Sequence, residues 1–153
     1  VILNRLAMSS FLRQEEHALF YSMAVLDHWQ SLGARVVNGP GVLAYDTNKA
    51  RQLSLFRKAG LDIPATRVAH RREDVARLAA EIGYPVMVKV NVGGSGTGMI
   101  RYDSPEALEA AVADGLTPVG VDGVALVQEY VPARDARVLR AICREFALIK
   151  QLL

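Results

Sequence analysis

Lys89 closes the apolar run Val86-Met87-Val88, and a loop rich in glycine, Gly93-Gly94-Ser95-Gly96-Thr97-Gly98, follows almost at once. The run reads as a buried strand. Glycine has no side chain in the way, so such a loop can bring several backbone N–H groups close to an anion. A lysine beside it supplies a point charge for the same anion. A nucleotide phosphate is the natural ligand of that pair. The plainer alternative, a flexible hairpin with a solvated lysine, loses ground because an unpaired lysine at the end of a buried strand is costly. The loop is not a P-loop, since no Lys-Ser/Thr closes it. Gly94, Gly96 and Gly98 alternate, which is not the G-x-G-x-x-G spacing of a dinucleotide fold. In protein kinases the glycine loop precedes the strand lysine, whereas here the lysine comes first.

Three further groups are candidates. The strand end Gln128-Glu129-Tyr130-Val131 presents a carboxylate and backbone groups that can hydrogen-bond an adenine amino edge, or it simply reaches the surface with a solvated Glu129. Asp135-Ala136-Arg137 places two charges on one side of an extended segment. They can hold a ribose or phosphate, or each other. Lys49 opens a helix after Asp46-Thr47-Asn48 and can reach a phosphate or stay solvated. His17, His28 and His70 have no partner at catalytic spacing. The single cysteine, Cys143, excludes an internal disulfide, and with three scattered histidines there is no zinc pattern.

These residues need a scaffold. Residues 1–4 read as the end of a strand. Over residues 15–32, Ala18, Leu19, Ser22, Met23, Val25, Leu26 and Trp29 recur at steps of three and four, which predicts a helix stopped by Gly33. A short strand over 34–38 and a turn at Gly39-Pro40-Gly41 follow. Asp46 or Thr47 is expected to cap a second helix that runs to Ala59 and stops at Gly60. Residues 61–66 read as extended and 73–82 as a third helix. Met99-Ile100-Arg101 is the return strand after the glycine loop. Ser104-Pro105-Glu106 starts a helix to about residue 113. Residues 124–131 read as a buried strand. Two apolar runs over 138–149 suggest a hairpin, although Arg134, Arg137, Arg140 and Arg144 also suit a helix face. Strands and helices alternate without a strict repeat, so the class is α/β or α+β.

The bulk properties exclude little. The chain has 153 residues, 51% of them hydrophobic and 22% charged, with a net charge of +2. That is an ordinary globular composition, and the charge is too small to argue for nucleic acid or membrane. No apolar stretch is long enough for a bilayer-spanning helix and no signal-peptide pattern opens the chain, so a cytoplasmic setting is expected. The chain starts at Val1 and stops within the apolar residues 147–153. It is therefore expected to be a piece of a longer protein.

Taken together and in this order, the segments resemble the ATP-grasp superfamily, most of all its ribosomal-protein glutamate ligase-like branch. Asn48-Lys49 stands where Asp-Lys is usual. Ala59-Gly60-Leu61-Asp62-Ile63-Pro64-Ala65-Thr66 is similar to a Gly-Leu-x-x-Pro-x-Thr stretch. Gly83-Tyr84-Pro85 through Lys89 and the glycine loop form the most specific match. Gln128-Glu129-Tyr130-Val131 looks like the adenine-holding hinge, and Asp135-Ala136-Arg137 like the Asp-x-Arg segment after it. Gln151 replaces the arginine of a Lys-Arg pair, and Pro132-Ala133-Arg134 is a shorter connection than usual. The resemblance implies an ATP-grasp fragment. Residues 1–45 would end a preceding α/β domain, and 46–123 would be the small lobe, with its glycine-rich loop on antiparallel strands. Residues 124–153 would begin a truncated second lobe.

The resemblance also implies roles. Lys49 and Lys89 would neutralise ATP phosphates under Gly94, Ser95, Gly96 and Gly98. Gln128, Glu129, Tyr130 and Val131 would hold adenine and ribose. Asp135 would act near the ribose or nucleotide, and Arg137 would be catalytic near the acceptor or phosphate. Magnesium is implied with its ligands outside this chain. The implied activity is an ATP-dependent carboxylate–amine ligase working through an acyl phosphate on an amino acid or peptide, with this chain alone not competent. The alternative is a non-catalytic nucleotide-binding or interaction module. Apolar faces left uncovered would favour a homo-oligomer. The arginines over 134–144 raise a nucleic-acid reading, but the low net charge and lack of clustered aromatics argue against it.

Overall fold

The computed structural model describes residues 1–6, 16–94 and 96–132. Its elements are β1 (Ile2–Leu3), α1 (Glu16–Ser31), β2 (Val36–Val37), α2 (Pro40–Asp46), α3 (Lys49–Lys58) and β3 (Thr66–Ala69), then α4 (Asp74–Ile82), β4 (Val86–Val90), β5 (Met99–Tyr102), α5 (Pro105–Ala113) and β6 (Ala125–Glu129). β1 and β2 pair in parallel, and the other four strands form an antiparallel sheet in the order β3-β6-β4-β5. This is the mixed α/β class expected from the sequence. The expected hairpin over 138–149 lies outside the described residues.

Alternation along the strands gives the four-stranded sheet two different faces. Val86, Val88, Tyr102, Ala69, Ala125 and Val127 point one way and are buried. They meet Val75, Leu78 and Ala79 of α4 and Leu108 of α5. On α4 these buried positions stand three and four apart, which is one stripe of a helix. Gly83, at φ 92°, ends α4 in a conformation that favours glycine. The Ser104 hydroxyl accepts from the Ala107 N–H at 3.4 Å and Pro105 opens α5, as the sequence predicts. A second core joins Leu19 and Leu26 of α1, Leu43 of α2 and Val92, which follows β4. The root of the glycine loop is thereby anchored in the first half of the chain.

Three elements differ from expectation. Gly39-Pro40-Gly41 is the start of α2, not a turn: Gly39 is its N-cap, its carbonyl accepts from Leu43 N–H at 3.0 Å, and proline fits the first helical turn. Burial of Leu43 against α1 gives that short helix its tertiary support. The cap of α3 is Asn48, not Asp46 or Thr47, because its Oδ1 accepts from Arg51 N–H at 2.9 Å. Thr47 instead closes α2. β3 extends over residues that carried no strand signal of their own. Thr66-Arg67-Val68-Ala69 is short and polar in part, and it is an edge strand held by pairing to β6.

Candidate functional site

The second face of the sheet carries the chemistry. Met87 pairs with Gln128 and Lys89 with Leu126, so Lys89 and Gln128 lie on one face, diagonal to each other. The Lys89 ammonium donates to Gln128 Oε1. Gln128 Nε2 donates to Thr66 Oγ1 at 2.8 Å, and that hydroxyl donates to the Pro64 carbonyl at 2.8 Å. Thr66 is itself opposite Gln128 across the β3–β6 ladder. A line of donors thus starts at Lys89, crosses three strands and ends on the Pro64 carbonyl. Gln128, buried with both ends of its amide occupied, holds that ammonium in place.

Lys49 reaches the same region from the first turn of α3. Its ammonium donates to the carbonyls of Gly93 at 2.9 Å and Asn91 at 3.2 Å. It therefore sits at the root of the glycine loop. There the backbone closes tightly: Val90 N–H donates to Gly98 O at 3.0 Å and Thr97 N–H to Gly94 O at 3.1 Å. A Cβ on Gly93 would lie 2.7 Å from a Val90 methyl, and one on Gly98 would lie 2.8 Å from the other. Gly98 also stands at φ +69°. Only glycine fits both positions without a shift.

Between α3, the segment 61–64 and this sheet face lies an open cavity of about 520 Å³. Leu53, Phe56, Leu61, Ile63 and Pro64 make its walls apolar, while Lys49, Lys89 and Gln128 line its polar part. α3 has no fully buried residue, which fits a helix whose apolar side faces a cavity. Burial lowers the pKa of both lysines from the usual value. The charge of Lys49 lowers Lys89 further, whereas Asp122 partly offsets the effect at Lys49. Neither lysine forms an ion pair among the described residues. Two desolvated ammonium groups next to apolar walls suit a ligand with a flat apolar part and several negative charges.

The remaining expected residues are placed as follows. Gly94, Gly96 and Gly98 stand in the loop beside Lys49. Glu129 pairs with Val86, so alternation puts its side chain on the face opposite Lys89. Its carboxylate accepts from Ala65 N–H at 3.2 Å, and its own N–H donates to Ala65 O at 2.8 Å. Tyr130 N–H donates to Pro85 O at 3.1 Å, and its ring lies 4.1 Å under the Arg101 guanidinium. Arg101 pairs with Asp103, whose hydrogen bond raises the guanidinium pKa. Val131 is exposed just beyond β6. Ser95, Asp135 and Arg137 lie outside the described residues. Sequence reasoning missed Thr66 as an anchor, Asn91 and Asp122 as neighbours of Lys49, and α3 as a cavity wall. A polar asparagine two residues after Lys89, directly after the apolar run, was the one sequence signal available for the second of these.

The described residues contain no group of three or more His, Cys, Asp or Glu side chains able to hold a metal ion. They do not fit magnesium. No helix among them is long and apolar enough to cross a membrane.

An antiparallel sheet that carries a lysine, a glycine-rich loop and a second lysine from a flanking helix matches what the resemblance to the ATP-grasp superfamily implies. The chain belongs to the RimK-like ATP-grasp domain family, whose model matches residues 46–145. A RimK domain ATP-grasp protein from Sphaerobacter thermophilus is similar at 29% identity and a TM-score of 0.54, over 67% of this chain and 38% of that one. The ADP complex of an N5-carboxyaminoimidazole ribonucleotide synthetase shares the fold at 22% identity and a TM-score of 0.60, over 73% of this chain and 28% of that one. Among curated relatives, a probable alpha-L-glutamate ligase from Enterobacter sp. is 31% identical over 124 residues, 80% of this chain and 40% of the relative. A ribosomal protein bS6–L-glutamate ligase from Escherichia fergusonii is 30% identical with the same coverage. The chain thus spans about 40% of the length of these curated relatives.

Proposed function

We propose that this chain supplies the nucleotide-binding lobe of an ATP-dependent carboxylate–amine ligase. The observation that carries the reading is the convergence of Lys49 and Lys89 beside one glycine-rich loop and one apolar-walled cavity. The apolar walls take the base, and the two ammonium groups take the phosphates. Gly94, Ser95, Gly96 and Gly98 cover the phosphates with backbone N–H groups. The backbone around Glu129, Tyr130 and Val131 meets the adenine edge, because the Glu129 carboxylate is engaged at Ala65. Asp135 acts near the ribose, and Arg137 near the acceptor or phosphate.

In this reaction a substrate carboxylate oxygen attacks the γ-phosphorus of ATP, the bridging P–O bond breaks, and ADP leaves. An amine nitrogen then attacks the acyl carbon. The C–N bond forms, the C–O bond to phosphate breaks, and the amine proton passes to solvent or phosphate. Positioning and charge neutralisation carry most of such a transfer, and those are the tasks Lys49 and Lys89 are built for. Magnesium would have to be held by residues outside those described, and there it would neutralise further phosphate charge. The relatives are named as ligases of L-glutamate, one of them with ribosomal protein bS6, which supports an amino acid and a peptide or protein as the substrates. Residues 1–45 then close a preceding domain, and the second lobe opens after β6 rather than at residue 124, because β6 is an inner strand of the same sheet as β3, β4 and β5.

Calorimetric titration with ATP, on this chain and its Lys89→Ala variant, tests the nucleotide reading. Saturable binding that the substitution removes is the expected result. No binding by the unsubstituted chain, or equal binding by both, would sink it.

A further inference from the structure

Asn91 is 3% exposed and directly follows β4, two residues beyond Lys89. Each of its polar groups has a partner. Its N–H donates to Val124 O at 3.3 Å. Its carbonyl accepts from the Lys49 N–H at 3.3 Å and from the Lys49 ammonium at 3.2 Å. Its Oδ1 accepts from Ala50 N–H at 2.9 Å, and its Nδ2 donates to Asp122 Oδ2 at 2.6 Å.

These contacts are aimed at one target. The first turn of a helix has N–H groups without intrahelical partners. In α3 the local cap, Asn48, takes the N–H of Arg51, and Asn91 takes those of Lys49 and Ala50 from across the fold. The far side of the amide is braced by Asp122, whose Oδ1 accepts from Val124 N–H at 3.3 Å. Room for that carboxylate depends on Gly120, where a Cβ would lie 2.6 Å from Asp122 Oδ1. An amide is the side chain that can accept from a helix N–H and donate to a carboxylate at once.

We propose that Asn91, braced by Asp122, is the positioning residue that fixes Lys49 relative to Lys89 and so sets the spacing of the two phosphate-binding ammonium groups. The inference rests on the nucleotide reading above. It adds a polar joint between the strand that carries one lysine and the helix that carries the other.

The test is ATP calorimetry on the full chain with three variants, each also melted without ligand. Asn91→Asp keeps the acceptor for Ala50 but sets two carboxylates against each other, and affinity is expected to fall about tenfold. The exchange Asn91→Asp with Asp122→Asn restores a donor facing an acceptor with the roles reversed. It is expected to recover affinity to within about threefold of the parent. In a Lys49→Gln background, Asn91→Asp is expected to move affinity by less than about twofold, because the ammonium that Asn91 positions is gone. Failure of the exchange to recover affinity, or an equal loss in both backgrounds, would overturn the proposal. So would a lowered melting temperature with unchanged affinity. Absence of ATP binding by the parent chain would overturn the nucleotide reading itself, a result distinct from parent binding that Asn91 variants leave untouched.

Discussion

The Lys89 ammonium donates to the side-chain carbonyl of Gln128, a residue diagonal to it on the neighbouring strand, and Gln128 is in turn held by Thr66. The adenine-hinge candidate at the end of β6 is therefore also the anchor of a phosphate lysine. Replacing Gln128 by Leu removes that anchor and leaves Lys89 and Thr66 without it. ATP affinity is expected to fall about tenfold and the chain to lose about 1–3 kcal/mol of stability. Calorimetry and urea unfolding check the two effects.

The two lysines predict a pH dependence. Burial lowers both pKa values, and Lys49 lowers Lys89 further. ATP favours the charged forms. Affinity is expected to fall as pH rises through the lowered values, earlier than an ordinary lysine at 10.5 allows. Without ligand the sign reverses. Between the lowered values and 10.5 the unfolded chain binds more protons, so these lysines add stability as pH rises through that window. Melting temperatures with and without ATP, measured from neutral to alkaline pH, should converge.

The glycine loop separates two causes of intolerance. Gly93→Ala brings a Cβ to 2.7 Å of a Val90 methyl, at a φ outside the left-handed region. Adding Val90→Ala is expected to restore much of the lost stability. Gly98→Ala meets the same side chain at 2.8 Å but also stands at φ +69°. It should remain destabilised by about 1–2 kcal/mol even beside Val90→Ala. Denaturant midpoints for the single and double variants give the comparison.

Asn48→Ala removes the local cap of α3. A loss of about 1 kcal/mol is expected. Because Lys49 is the next residue, ATP affinity should fall with it. An Asn48→Ser or Asn48→Asp variant should retain most of both. Thermal unfolding and ATP titration on the same samples decide whether cap and affinity are linked.

Local signals made much of this legible in sequence. The α4 stripe, the Ser104-Pro105 start of α5 and the apolar runs of β4 and β6 all carry their structure in neighbouring residues. So did the Lys89 and glycine-loop pair, because both parts lie within ten residues. What escaped depends on distant partners. β3 is a strand because β6 lies beside it, and its own residues say little. Asp46 or Thr47 was the expected cap of α3, and the chain path gives that place to Asn48 instead. Asn91 and Asp122 meet across an interval that no spacing rule covers. The sense of Glu129 followed from register, which a single strand cannot reveal.

The order of the sheet has a consequence for how the chain is made. β6 is the last strand in sequence among the described residues, yet it sits between β3 and β4. A nascent chain that has emerged only as far as β5 can hold the β4–β5 hairpin, but β3 has no neighbour to pair with. The gap is then a pair of open strand edges, the kind of surface that recruits other chains. Ribosome-bound chains ending at residue 123 should be cut readily by protease within β3. Chains extended well past residue 132 should resist, so the lobe closes only as β6 clears the exit tunnel and slides into the middle.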